Sequence, residues 1–207
     1  MFLSRVEIPW DAARNPYNLH RQLWHLFPGE DRESRSSDDE TRQGFLFRIE
    51  ENATGRPARL LVQSRRAPTR ANGLLLVGTR EITPCPSAGQ RLAFVLTANP
   101  VKTIVDAQRD AKPGKQSEKC RVPFIKEEEQ RQWLLRKLGE AGEVEAVSVL
   151  PHAPVYFHKG SRAGKLVTAT FEGVLRVRDP DRLAALLANG IGPAKAFGCG
   201  LLLVRRI

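Results

Sequence analysis

The 207-residue sequence predicts an α+β fold built from two ferredoxin-like βαββαβ units in tandem. Two observations carry that expectation. Segments with a period of two alternate with segments whose apolar residues recur at helical spacing. The order strand, helix, strand, strand, helix, strand then runs through the chain twice. An apolar content of 41% with this regularity marks a globular chain rather than a disordered one.

The elements follow in order. Phe2, Ser4, Val6 and Ile8 alternate with Leu3, Arg5 and Glu7 as in a strand. Asn15-Pro16 supplies an N-cap and a first-position proline for a helix to Phe27, with Leu19, Leu23, Leu26 and Phe27 on one face. Pro28-Gly29 stops it, and residues 29–44 contain nothing apolar, which reads as a surface loop. Strands are expected at 45–51 and 58–64, joined by a turn at Thr54-Gly55, then a weakly helical stretch and a strand at 90–98. The second half gives a charged amphipathic helix at 124–138 ending at Gly139, with Glu127 and Arg131 spaced for an i,i+4 pair. Strands at 144–150 and 166–177 follow, separated by a hairpin rich in Gly and Lys. Asp179-Pro180 opens a helix carrying Leu183, Leu186 and Leu187, Asn189-Gly190 closes it, and 200–204 forms the last strand. The expected domains are 1–98 and 99–207, with the junction somewhere in 97–122. RNA-recognition motifs share this architecture, but a fold alone names no function.

Composition narrows the classes. Lys and Arg number 33 against 23 Asp and Glu, a net charge of +10 that favours polyanionic partners, nucleic acid or an acidic membrane surface. No run approaches the roughly 18 apolar residues a membrane span needs, and the N-terminus lacks the apolar stretch of a signal peptide. The three cysteines, Cys85, Cys120 and Cys199, are odd in number and far apart, which suits neither a disulfide framework nor a zinc site. The cytoplasm is the expected compartment, and no metal or other cofactor is expected.

Several site types are missing. No carboxylates cluster in a metal-binding pattern, and no two histidines have ligand spacing. None of the four histidines, 20, 25, 152 and 158, is followed two residues later by Ser or Thr, as the two-histidine phosphoesterases require. A Walker loop and the aromatic signature of an RNA-recognition motif are also absent.

Three features remain. Tyr17, His20 and Trp24, at i, i+3 and i+7, form a stripe beside the core face of the first helix. A histidine at such a margin is partly desolvated yet can reach a ligand, and a phenol one turn away can orient a phosphate or assist a proton transfer. The alternative is an ordinary boundary histidine. The second feature is the loop 190–200, with Gly190, Gly192, Gly198 and Gly200 around Lys195. It suits either backbone amides approaching a phosphate or a plain helix C-cap and turn. The third is basic: Lys159, Arg162 and Lys165 at a hairpin tip, and Lys112, Lys115, Lys119 and Arg121 before the second-half helix. These neutralise phosphates or belong to solvated loops.

The run Asn15-Pro16-Tyr17-Asn18-Leu19-His20-Arg21-Gln22-Leu23-Trp24-His25-Leu26-Phe27 occurs in order with Ala98-Asn99-Pro100-Val101-Lys102, Arg121-Val122-Pro123, Phe171-Glu172-Gly173-Val174-Leu175 and the 190–200 loop. As a set, spread over Met1 to Val204, they resemble the CasE family, the precursor-CRISPR-RNA endoribonucleases of type I-E Cascade systems. The polar segment at 30–43 looks longer than the family's usual loop. The resemblance implies tandem ferredoxin-like domains, metal-independent cleavage at the base of a CRISPR repeat stem-loop, and an enzyme that stays on the mature crRNA beside the other Cascade subunits. It implies that His20 and Tyr17 are catalytic and that the 190–200 loop touches RNA. It also implies that the hairpin of Lys159, Arg162 and Lys165 enters the stem's major groove. Arg21 and Lys102, within the quoted runs, are expected RNA contacts as well. The reaction expected is attack of a ribose 2′-hydroxyl on the adjacent phosphorus, leaving a 2′,3′-cyclic phosphate and a free 5′-hydroxyl. Whether His20 takes the 2′ proton or protonates the leaving oxygen stays open. So do two rival readings, a non-catalytic RNA-hairpin-binding subunit and a structural protein of a ribonucleoprotein.

Overall fold

The computed structural model describes residues 1–29, 44–105, 119–159 and 162–207. The chain opens with β1 (Phe2–Ile8), a single turn α1 (Trp10–Ala13) and α2 (Pro16–Leu23), which tightens into a 3₁₀ turn at Trp24–Leu26. Asn15 caps α2, its side-chain oxygen accepting from the Tyr17 N–H at 3.2 Å, and Pro16 occupies the first turn. Leu19, Leu23, Leu26 and Phe27 are all buried, as the helical spacing requires.

Next come β2 (Phe45–Glu51), β3 (Ala58–Ser64) and β4 (Leu75–Glu81). They join β1 in an antiparallel sheet of order β2-β3-β1-β4. The weak helix expected before the next strand does not form. Pro68 and Gly73, at φ +76°, interrupt that stretch, and the Leu-Leu-Val start of β4 pairs with β1 as a fourth strand.

Because β4 fills that place, the strand expected to close the first half goes elsewhere. β5 (Arg91–Ala98) opens the second sheet, followed by β6 (Val101–Val105), β7 (Lys119–Pro123), α3 (Glu127–Leu138) and β8 (Gly142–Pro151). Then come β9 (Val155–Lys159), β10 (Arg162–Leu166), β11 (Ala169–Val177), α4 (Pro180–Asn189) and β12 (Leu202–Arg206). β12, β5, β11 and β8 form an antiparallel sheet in that order. Both sheets place the first and third strands of their unit in the centre, the ferredoxin-like order, so the fold is a tandem ferredoxin-like one. The strand expected at 166–177 is β11, which starts at Ala169, and the Gly- and Lys-containing hairpin expected before it is the β9–β10 ribbon.

Each unit has its own core. Val6, Ile8, Leu19, Leu23, Phe45, Phe47, Leu60 and Val62 pack in the first. Phe94, Leu96, Trp133, Leu134, Phe171, Leu175, Leu183 and Leu187 pack in the second. The units meet through buried contacts, among them Gln63, whose amide donates to the Leu187 carbonyl at 2.7 Å. Two separate antiparallel ribbons, β6–β7 and β9–β10, leave one end of the second sheet, where Ala98 and Pro151 both pair with Ala169. Among the described residues no helix is long and apolar enough to cross a membrane.

Candidate active site

His20 lies on α2, half-buried, at the edge strand β2. Its ring centroid is 5.2 Å from that of Phe45, 5.8 Å from Trp24 and 6.4 Å from Phe47, near-parallel to the last. Three aromatic neighbours fix the imidazole's plane and remove part of its water, while its remaining exposure leaves a route for a ligand. This is the margin position the stripe Tyr17, His20, Trp24 predicts.

Tyr17, one turn earlier, belongs to a second aromatic line. Its ring is 6.4 Å from Phe197, which in turn lies 4.5 Å from Phe157 on β9. Phe197 sits in a 3₁₀ turn, Lys195–Phe197, inside the glycine-rich loop. Two elements distant in sequence, β9 and the glycine-rich loop, therefore converge on the start of α2. Asn15 ties α2 to β9, its amide nitrogen donating to the His158 carbonyl at 2.9 Å while its oxygen caps the helix. The sequence signalled Asn15 only as a cap. Its second bond, and the parts played by Phe157 and Phe197, depend on chain crossings that local spacing cannot reveal.

The glycine-rich loop is held by its own backbone bonds. Of the two readings the sequence leaves open, the helix C-cap and turn accounts for several of its amides, which donate within the protein. Gly190 donates to Leu186, Ile191 to Gly200, Gly198 to Lys195 and Gly200 to Thr97, at 2.8–3.1 Å. What the glycines provide is closeness. Gly198, at φ +84°, lies where a Cβ would stand 3.2 Å from the Phe47 ring. A Cβ on Gly190 would stand 2.8 Å from Leu46. Both neighbours belong to β2, so the loop of the second unit seats directly on the edge of the first. Lys195 is buried, only 6% exposed.

The remaining expected contacts fall into three groups. Lys102, Arg121 and Lys165 are exposed on the two ribbons. Arg21 is exposed on α2 and donates to the Asn18 side chain at 3.2 Å. Lys112 and Lys115 lie outside the described residues, as do most of the 29–44 segment and the side chains of Lys119, Lys159 and Arg162. His25 is exposed, and His152 pairs with Thr170 at 2.8 Å, which reaches Thr97 at 2.8 Å. Burial pushes the Cys199 thiol up to about 12, so it offers no thiolate nucleophile at neutral pH.

A family model described as CRISPR associated protein matches residues 1–206. The chain is 41% identical over 202 residues to the Cascade subunit CasE of Escherichia coli (strain K12), covering 98% of both chains. The chain belongs to the CasE family. A second relative, the CRISPR-associated endoribonuclease Cse3 of Thermus thermophilus, is 35% identical over 207 residues, with 92% of this chain and 90% of that protein covered. The crystal structure of Cas6e from E. coli K-12 superposes with a TM-score of 0.84 at 40% identity, with all of both chains covered. A CasE fold thus spans the whole chain, and the aromatic-bound histidine of α2 belongs to it rather than to an appended segment.

Proposed function

We propose that this CasE-family chain is a metal-independent endoribonuclease acting on precursor CRISPR RNA. It cleaves at the base of the repeat stem-loop and then stays on the crRNA as a cytoplasmic Cascade subunit. The observation that carries the reading is His20, half-buried among Trp24, Phe45 and Phe47 and one helical turn from Tyr17, at the seam where α2, β9 and the glycine-rich loop meet. The relatives' names, an endoribonuclease and a Cascade subunit, support the substrate class.

The chemistry needs little more than positioning and one proton handler. The 2′-oxygen bonds to phosphorus as the bond from phosphorus to the 5′-oxygen breaks, in line. The 2′ proton passes to a base, and the departing 5′-oxygen takes a proton from an acid. Imidazole suits either task because its pKa lies near working pH. His20 is assigned that proton transfer, and the Tyr17 hydroxyl is assigned to hold the phosphate. Cations on the ribbons, Lys102, Arg121 and Lys165, hold the RNA backbone, and Arg21 contacts it beside the reacting phosphate. The glycine-rich loop acts at one remove: Phe197 supports Tyr17, and the close seating of Gly190 and Gly198 holds Phe197. The domain division belongs at 82–90, ahead of β5.

Single-turnover cleavage of a repeat hairpin tests the reading. The rate is expected to survive excess EDTA and to vanish when the ribose 5′ to the scissile phosphate is 2′-deoxy. Cleavage of the deoxy substrate would assign the attack to another nucleophile, and loss of activity in EDTA would assign the chemistry to a metal.

A further inference from the structure

Four arginines on the outer faces of the two sheets are tied to carboxylates. Arg5 pairs with Glu50 at 3.2 Å, Arg59 with Glu7 and Glu51 at 3.3 and 3.1 Å, and both Arg91 and Arg176 with Glu145 at 2.8 Å. Their charge is largely answered within the protein. Lys102 and Arg136 are arranged differently.

Both point at one ring, that of Phe124, just beyond β7. The Lys102 Nζ, from β6, lies 5.6 Å from the ring centroid, and the Arg136 guanidinium carbon, from the last turn of α3, lies 6.0 Å from it. Both residues are exposed, and neither is ion-paired to a carboxylate among the described residues. The ring itself is fixed. It packs against the second core, the Phe124 N–H donates to Pro100 at 3.0 Å, and its carbonyl accepts from Gln130 at 2.9 Å. Ring attraction gathers two cations that repel each other. A polyanion lying along this edge gains from both.

The helix dipole explains a basic residue at the end of α3, but Lys137 in the same turn meets that need. It gives no reason for Arg136 to share a ring with Lys102 of another element. The site stands at the base of the β6–β7 ribbon, at the end of the second sheet from which β9–β10 also leaves. Asn99, two residues after β5 reaches Thr97, donates to Val167 at 2.6 Å and ties the bases of the two ribbons together.

We infer that Lys102 and Arg136, gathered on Phe124, contact the sugar–phosphate backbone of the substrate RNA, without reading its bases. This rests on the RNA-processing reading above and adds Arg136 and Phe124 to its binding surface.

The test is the affinity of the full-length protein for a repeat hairpin by fluorescence anisotropy, across roughly 50 to 200 mM salt. Arg136→Gln is expected to weaken binding by about three- to tenfold and to lower the log–log salt slope by about 0.7 to 0.9. Lys102→Gln is expected to do the same. Both losses should be equal on a hairpin with a scrambled stem, relative to wild type on that hairpin. Lys137→Gln, in the same helical turn but off the ring, is expected to leave affinity and slope unchanged. Wild-type affinity and slope in Arg136→Gln would overturn the inference while leaving the RNA reading intact, and would assign this face to a protein partner. Failure of the wild-type protein to bind the hairpin at all would instead overturn the RNA reading, and this inference with it.

Discussion

The two ferredoxin-like units cover their sheets differently. In the second, α3 and α4 both lie on the sheet and seal a core of aromatic and aliphatic side chains. In the first, α2 is the only helix of more than one turn among the described residues, and the stretch before β4 stays irregular. The β2 edge of that first unit is closed instead by the glycine-rich loop of the second, with Gly198 against Phe47 and Gly190 against Leu46. The incomplete unit is the one that carries His20. A fully covered helix face would bury such a histidine, whereas a face finished by a loop leaves a seam where imidazole, phenol and ribbon meet.

If loop closeness makes the seam, then substituting Gly198 should have the largest effect. Gly198→Ala forces a side chain into left-handed backbone and toward the Phe47 ring, and is expected to cost about 1–2 kcal/mol in urea unfolding. Unchanged stability would mean that the loop does not seat on β2.

Asn15 sharpens the comparison, since one side chain serves both units. Asn15→Ala removes the cap and the bond to His158, and is expected to cost about 1 kcal/mol. Asn15→Asp keeps an acceptor for the Tyr17 N–H but no longer donates to the His158 carbonyl. It is expected to retain most of the stability while slowing cleavage a few-fold. Equal cleavage by Asn15→Asp and wild type would show that the tie between α2 and β9 is dispensable.

The smallest effect is expected on the outer sheet face. Arg59→Ala breaks exposed ion pairs to Glu7 and Glu51 and should change stability by no more than about 0.5 kcal/mol, with hairpin affinity unchanged. A clear loss of RNA binding there would bring the sheet face into the interface.

Much of this was legible in the sequence because it is local. The alternation of β1, the cap at Asn15-Pro16, the buried stripe of α2 and the Asp179-Pro180 start of α4 each depend on neighbours within a few residues. Glu127 and Arg131 do pair at 3.0 Å, as their spacing requires. The differences between sequence and structure lie mainly in which strands pair. β4 looked weakly helical because its own residues do not disclose the open edge of β1 that it completes. β5 looked like the end of the first half because pairing partners are not written into a strand. The glycine-rich loop's composition suits a phosphate cradle and a plain C-cap and turn equally, so spacing alone does not choose between them. Only the folded chain brings Phe47, Leu46 and Trp133 against it and engages its amides. Likewise Lys102 was legible as a cation, but its meeting with Arg136 on Phe124 needed the fold.

The proposed function divides the labour, with chemistry on α2 of the first unit and RNA holding on the ribbons of the second. Measuring single-turnover cleavage at saturating protein together with hairpin affinity, for His20→Ala and for Arg121→Ala/Lys165→Ala, tests it most directly. His20→Ala is expected to cleave about 100- to 10,000-fold more slowly while binding within a few-fold of wild type. The double variant is expected to bind several-fold more weakly with a shallower salt dependence, yet to cleave at the wild-type rate once saturated. Wild-type cleavage by His20→Ala would contradict the account at its centre.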